Sequence, residues 1–191
     1  MAQLNSQPAA AAAAHAPPPG TEQTQQYLTF SLGGEVFAIG ILAIKEIIEY
    51  SSLTQVPMMP EYLRGVINLR GAVVPVVDLM VRFGKPASQI TKRTCIVIVE
   101  IQSEGERHDV GVMVDGVNAV LEIPAKEIEP PPSFGARIRV DFIAGMAKVD
   151  GRFVILLNVE HILTFDEIQH LAEVAVNQAT GESLAATEQA A

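Results

Sequence analysis

The feature that most constrains this chain is that it repeats itself. The segment Gly65-VINLRGAVVPVVDL aligns without a gap on Gly145-MAKVDGRFVILLNV at a shift of 80 residues. Gly65 falls on Gly145, Gly71 on Gly151, Val74 on Val154 and Asp78 on Asn158. Upstream, Ala38-IGILAIKEIIE aligns on Gly111-VMVDGVNAVLE at a shift of 73, which sets Ile44 on Val117, Ile47 on Val120, Ile48 on Leu121 and Glu49 on Glu122. A change in loop length between the blocks accounts for the two shifts. Two colinear matches in the same order describe a duplicated unit: strand, hairpin, strand, loop, hairpin, short helix. One copy, at roughly 60–70 residues, has the size of a small barrel that is marginal alone. Two such barrels packed together would share apolar surface, so the expectation is an all-β fold of two stacked barrels.

Local signals agree. Gly33-Gly34 separates the β-rich runs Tyr27–Leu32 and Glu35–Ile39, and Asp150-Gly151 separates Ala144–Val149 from Arg152–Leu157. Both pairs tolerate the positive φ that tight hairpins require. Thr94–Ile101 and Asp109–Val114 flank a polar SEGER stretch, and Val117–Ile123 follows Asp115-Gly116. Short strands with frequent turns point to barrels rather than to alternating strands and helices. Helical pieces are few: Ile41–Lys45, Pro60–Leu63, Leu79–Phe83 and Val159–Leu163, with Asp78 and Asn158 placed to cap the last two. Aromatics are only 5% of the chain and Trp is absent, so the core must be aliphatic.

Residues 1–25 are rich in Ala, Pro and Gln, a composition that cannot build a core and reads as a disordered arm. Residues 26–165 form the expected folded body, with two intertwined barrel subdomains at roughly 26–85 and 93–165. Residues 166–191 continue as a short helix (with Phe165, to about Val176) and a polar, disordered tail.

The net charge of −9 argues against a reader of nucleic-acid backbones. The single cysteine, Cys95, allows no internal disulfide and no multi-cysteine metal site. It opens an alternating strand, as a small apolar residue does. No apolar run reaches the length of a membrane span, and the N-terminus lacks a secretory signal, so the expected compartment is the cytoplasm, without membrane insertion. His15, His108, His161 and His170 show no metal-binding spacing, and no nucleophile elbow, phosphate loop or dinucleotide fingerprint is present. Asp78, Asp115 and Asp150 sit at turns and caps. The reading is a protein without catalysis, cofactor or metal.

A duplicated scaffold carries its own control: residues special to one copy need a reason other than folding. Glu46 stands where the second copy has Ala119, Arg70 where it has Asp150, and Pro75 where it has Ile155. Glu46 and Arg70 are either an ordinary surface pair, worth about 0–1 kcal/mol, or an ion pair beside the seam between barrels. Pro75 belongs on an edge or at a bulge. The loop Leu53-TQVPMMPEYL is core or an exposed apolar patch. Phe134, after Pro130-Pro131-Pro132-Ser133, is a buried ring or a proline-stiffened anchor.

Four stretches give the chain a resemblance to the CheW chemotaxis adaptor family: FSLGGEVFAIGILAIKEIIE at Phe30–Glu49, Gly65-VINLRGAVVPVVDL, VGVMVDGVNAVLEI at Val110–Ile123 and FIAGMAKVDGRFVILLNVEHIL at Phe142–Leu163. The resemblance implies two SH3-like five-stranded barrels, docking of the cytoplasmic tips of chemoreceptors between them, and docking of a CheA-type histidine kinase at the barrel ends. It further implies ring assembly with kinase domains beneath receptor arrays at the inner face of the membrane. Carried over by motif, the receptor-binding positions are Ile41, Ile44, Glu46, Gly65, Arg70, Cys95, Val110 and Gly111, and the kinase-binding positions are Leu53, Val56 and Phe134. An adaptor of a non-flagellar pathway (twitching motility or second-messenger control) and a small-ligand-binding barrel are the alternatives the residues leave open.

Overall fold

The computed structural model describes residues 24–103, 105–131, 138–164 and 166–167. Its strands are β1 (Thr24–Leu32), β2 (Glu35–Gly40), β3 (Ile44–Glu49), β4 (Leu63–Leu69), β5 (Ala72–Asp78), β6 (Cys95–Ser103), β7 (Glu106–Val114), β8 (Gly116–Pro124), β9 (Ile128–Glu129), β10 (Ile143–Val149) and β11 (Arg152–Leu157). One short α-helix, α1 (Leu79–Arg82), and four single 3-10 turns complete the described elements.

The strands form two sheets, one in the order β8-β1-β2-β11-β10-β9 and one in the order β3-β6-β7-β5-β4. These are two SH3-like barrel units, but neither coincides with a repeat copy. The hairpin β1–β2 of the first copy completes the sheet of β8–β11, and the hairpin β6–β7 of the second completes the sheet of β3–β5. The halves 26–85 and 93–165 have therefore exchanged their first hairpins. Sequence periodicity cannot distinguish this from two separate barrels, because the same ladders form within a copy or between copies, as in domain swapping.

The duplication survives down to single pairings. Val76 of β5 lies opposite Gly111 of β7, and their repeat mates Leu156 of β11 and Ala38 of β2 lie opposite each other, both ladders being parallel. Register shifts recur at equivalent places, between Leu63 and Gly65 in β4 and between Ile143 and Gly145 in β10. The amide of Asp78 donates to the carbonyl of Tyr62, and that of Asn158 to the carbonyl of Phe142.

Burial explains the sequence pattern. Alternate side chains of each central strand face opposite sides, and here both sides are covered. Val97, Val99, Ile101, Val110, Val112 and Val114 join Phe30, Phe37 and Ile39 in one cluster between the sheets. Ile96, Ile98 and Met113 point the other way, into the interior of one barrel, as Ala38, Val154 and Leu156 do in the other. Runs such as CIVIV and VGVMV are continuous because those strands have no wet face.

Three expectations change in detail. β1 begins at Thr24 and pairs it with Pro124, so the strand takes in the last two residues assigned to the arm. Ile41–Lys45 is a 3-10 turn over Ile41–Ala43 that runs into β3, and Pro60–Leu63 is a turn leading into β4 rather than a helix. Of the expected helix beyond 164, only the helical residues Asp166 and Glu167 are described.

Asp78 caps α1 as expected, and does more. Its carboxylate is fully buried and accepts from the amides of Met80 and Ser88 and from the Ser88 hydroxyl, tying down the loop after the helix. Its mate Asn158 accepts one backbone bond, from Glu160, at a half-exposed site. Asp78→Ala should therefore cost about 2–4 kcal/mol, a lost cap plus stranded buried donors. Asn158→Ala should cost about 0.5–1 kcal/mol. Urea denaturation of both variants measures the difference.

A second polar cluster joins the barrels. Arg82, at the end of α1, makes two bonds of 2.8 Å to the carboxylate of Glu167, to which the Tyr62 hydroxyl also donates. The Thr164 amide donates to Glu167 as well, and the Glu167 amide donates to the Thr164 hydroxyl, a capping box. Burial alone would push the Glu167 carboxyl up, but the Thr164 amide, the Tyr62 hydroxyl and the Arg82 guanidinium outweigh it and hold the carboxyl below its ordinary value. Burial, followed by the same carboxylate, pushes Tyr62 up to about 12. A depressed carboxyl stabilises the fold above its unfolded pKa and loses that contribution as pH falls through its folded pKa. Melting temperature should thus be flat in this respect near neutrality and drop on the acid side of the usual glutamate range. Glu167→Gln should show a shallower acid drop in the same titration.

Candidate functional site

The five-stranded sheet has β3 and β4 at its two edges. The chain closes this gap at the backbone level through an isolated bridge between Thr54 and Val66. Gly65 makes the closure fit: its φ is +144°, and a Cβ there would collide with the Thr54 carbonyl oxygen. Its mate Gly145 is crowded in the same way, a Cβ lying 2.7 Å from Ile128 and 3.0 Å from the Glu129 carbonyl oxygen. A glycine needed in both copies has an explanation in folding: Gly65 lets β4 close against Thr54.

Side chains close the same gap. Glu46 of β3 accepts from Arg70, in the β4–β5 turn, at 2.9 Å. The ion pair that the comparison of copies left open is present, on one barrel. Arg70 is 80% exposed in its side chain and holds a φ of +54°. Its mate Asp150 holds a φ of +48° in the equivalent turn. Asp tolerates the left-handed region because its short side chain bonds locally; a long side chain there costs on the order of 1–3 kcal/mol. An exposed ion pair returns about 0–1 kcal/mol. Arg70 is therefore not present for stability.

Around this pair the surface is mixed. In β3, Ile44, Glu46 and Ile48 are half-buried while Lys45, Ile47 and Glu49 are exposed. Lys45 bonds Asp109 at 2.6 Å and Glu100 at 3.1 Å, and Arg107 lies 3.4 Å from Glu100, a network across β3, β6 and β7. Bonds to Asp109 and then to Glu100 push the Lys45 ammonium up. Ile41 is half-buried at the crossover between barrels, and the next residue, Leu42, is 99% exposed. Leu42 was missed by sequence reasoning; its signal was an apolar residue where the other copy has Asp115. Cys95 is half-exposed, its thiol 3.3 Å from the Arg93 carbonyl.

Two of the expected contact positions are buried. Val110 is 1% exposed and packs in the cluster between the sheets, and Gly111 is buried with Ile96 and Val76 against it. Neither offers surface; both set the spacing beneath it. Leu53 and Val56 are half-exposed and, with Tyr50, Gln55, Glu61, Leu63 and Arg64, line a cavity of about 280 Å³. In the same loop Met58 is fully exposed with a φ of +60°. Phe134 lies outside the described residues. Among those described, no group of three or more His, Cys, Asp or Glu is placed to hold a metal ion, and no helix is long and apolar enough to cross a membrane.

Fold and surface together define a two-barrel scaffold protein. Residues 26–167 match the family described as the CheW-like domain. The chain is 34% identical over 151 residues to the chemotaxis protein CheW of Klebsiella aerogenes, covering 79% of this chain and 89% of that one. It is 32% identical over 147 residues to the chemotaxis protein CheW of Rhizobium meliloti, covering 77% and 92%. The scaffolding protein TtCheW from Thermoanaerobacter tengcongensis superposes with a TM-score of 0.68 at 34% identity, over 80% of this chain and 93% of that chain. The chain belongs to the CheW family, and its function is that of a chemotaxis scaffold.

Replacing Arg70 by Asn should leave unfolding free energy unchanged or raise it by up to about 1 kcal/mol, since strain relief competes with a weak ion pair. A loss of more than about 1 kcal/mol in chemical denaturation would instead make Arg70 a structural residue.

Proposed function

We propose that this protein is a non-catalytic cytoplasmic adaptor that couples the cytoplasmic tips of chemoreceptors to a CheA-type histidine kinase. The observation that carries the reading is Arg70, an exposed guanidinium held in a costly backbone conformation, paired to Glu46 and absent from the other copy. Such a charge selects partners better than it stabilises a fold. With it, Ile41, Ile44 and Cys95 supply the exposed part of a receptor surface in the cleft between barrels, while Gly65, Val110 and Gly111 hold its shape.

The kinase is assigned to the barrel ends. Leu53 and Val56 flank the cavity on the five-stranded unit, with Met58 exposed in the same loop. By the repeat shift of 80, Phe134 falls in sequence on Thr54 of that same loop. Two equivalent ends on one body suit alternating assembly with kinase domains into rings, since contacts that join unlike surfaces close when the rotation permits. Attachment to receptor arrays would place the adaptor at the inner face of the membrane without inserting it.

Affinity purification from the source cell tests the reading: a CheA-type kinase and chemoreceptors should co-purify with the tagged wild-type chain. Arg70→Glu should weaken capture of a receptor fragment by about tenfold, equivalent to 1.4 kcal/mol, with the melting temperature unchanged. The double variant Glu46→Arg with Arg70→Glu should partly restore capture. If the double variant is no better than Arg70→Glu, the pair does not act as a unit.

A further inference from the structure

The cluster around Arg82 sits where the two repeats meet themselves. Arg82 Nε donates at 2.8 Å to the carbonyl of Ile162, and Ile162 is the residue onto which Arg82 falls at the repeat shift of 80. The guanidinium carbon stands 4.4 Å from the ring centre of Tyr62 and 5.5 Å from that of Phe142, which are repeat mates of each other. In a body with two-fold symmetry, a position touches its own mate only near the axis. Arg82 therefore lies on the pseudo-two-fold axis, where one side chain replaces what symmetry would make a pair.

The partners of the guanidinium come from both barrels. Tyr62 and α1 belong to the five-stranded unit; Phe142, Ile162 and Glu167 belong to the chain around β10 and β11 of the other. The apolar cluster between the sheets holds the units together, but apolar attraction is non-directional and tolerates small rotations. A guanidinium bonded bidentately to a carboxylate and, through its third nitrogen, to a carbonyl does not, because the fork fixes distance and plane together. The side chain is only 14% exposed, which keeps water from competing for those bonds.

We propose that Arg82 is a positioning residue that locks the two barrels at one mutual angle, with Glu167 as its bolt, and so sets the width of the cleft between them. The lock itself follows from the geometry above. Its consequence for receptor binding rests on the adaptor reading.

Spin labels at the exposed positions Gln102 and Lys148, one on each sheet, in a Cys95→Ser background, report the angle as a distance distribution by pulsed electron resonance. The wild type should give one narrow distribution. Arg82→Ala and Arg82→Lys should broaden it at least two-fold while far-UV circular dichroism stays unchanged, lysine lacking the fork. If Arg82→Ala fails to fold, Glu167→Gln takes its place, since it leaves the bond to Ile162 and both ring contacts intact. An unchanged width in the folded variants overturns the lock. In unlabelled protein with native Cys95, Arg82→Ala should bind a receptor fragment at least three-fold more weakly than wild type. A broadened distribution with unchanged binding overturns the positioning role. A wild-type chain that binds no receptor fragment defeats the adaptor reading and leaves the distance measurement to judge the lock.

Discussion

Everything in this structure depends on strands that are buried on both faces. β6 and β7 give one face to their barrel interior and the other to the cluster between the sheets, as β2 does in the second unit. At roughly 1.5–3 kcal/mol for each large apolar side chain removed from water, the cluster between the barrels outweighs any polar contact in the molecule. It also denies either barrel an independent existence, because its inner sheet face would be bare. The exchanged hairpins express the same fact in connectivity: each sheet is completed by strands from the opposite repeat.

Against that near-symmetric background, the departures from symmetry are few and chemically pointed. Glu46 and Arg70 put an ion pair on one barrel where the other has Ala119 and Asp150, which cannot form one. Arg82 replaces an apolar mate on the pseudo-axis and recruits Glu167 from beyond the repeat. A symmetric body would offer the same face twice, and these differences remove that equivalence. Symmetry supplies the scaffold and its breaking supplies direction.

Much of this was legible in the residues, for reasons that can be named. The hairpins declared themselves through Gly33-Gly34 and Asp150-Gly151, and the Glu46–Arg70 pair through a comparison of copies. β3 was obscured because its register shifts between Ile44 and Glu46. Its sequence also hides the alternation, because Glu46 takes a half-buried position and Ile47 an exposed one, so that Ile41, Ile44 and Ile48 imitate the spacing of a helix. Val110 and Gly111 came from the family resemblance alone, and a strand buried on both faces gives no sign in sequence that such positions are covered. The Arg82 cluster joins residues 62, 82, 142, 162 and 167, brought together only by packing. Its one local trace was Thr164 three residues before Glu167, the spacing of a capping box.

The exchanged hairpins also bear on how the chain is made. β1 waits for β8, whose pairing partners lie about ninety residues further on, as Thr29 with Ala119. On a ribosome the five-stranded sheet lacks its members until residue 114 has emerged, and the other sheet until residue 157. Through most of synthesis the apolar hairpin β1–β2 has no lasting partner, and its open edges are available to any other nascent strand. Non-local pairing of this kind slows folding relative to a chain of equal length with local contacts. The interlocking that makes the finished scaffold indivisible thus postpones its assembly until its last strand, β11, has emerged.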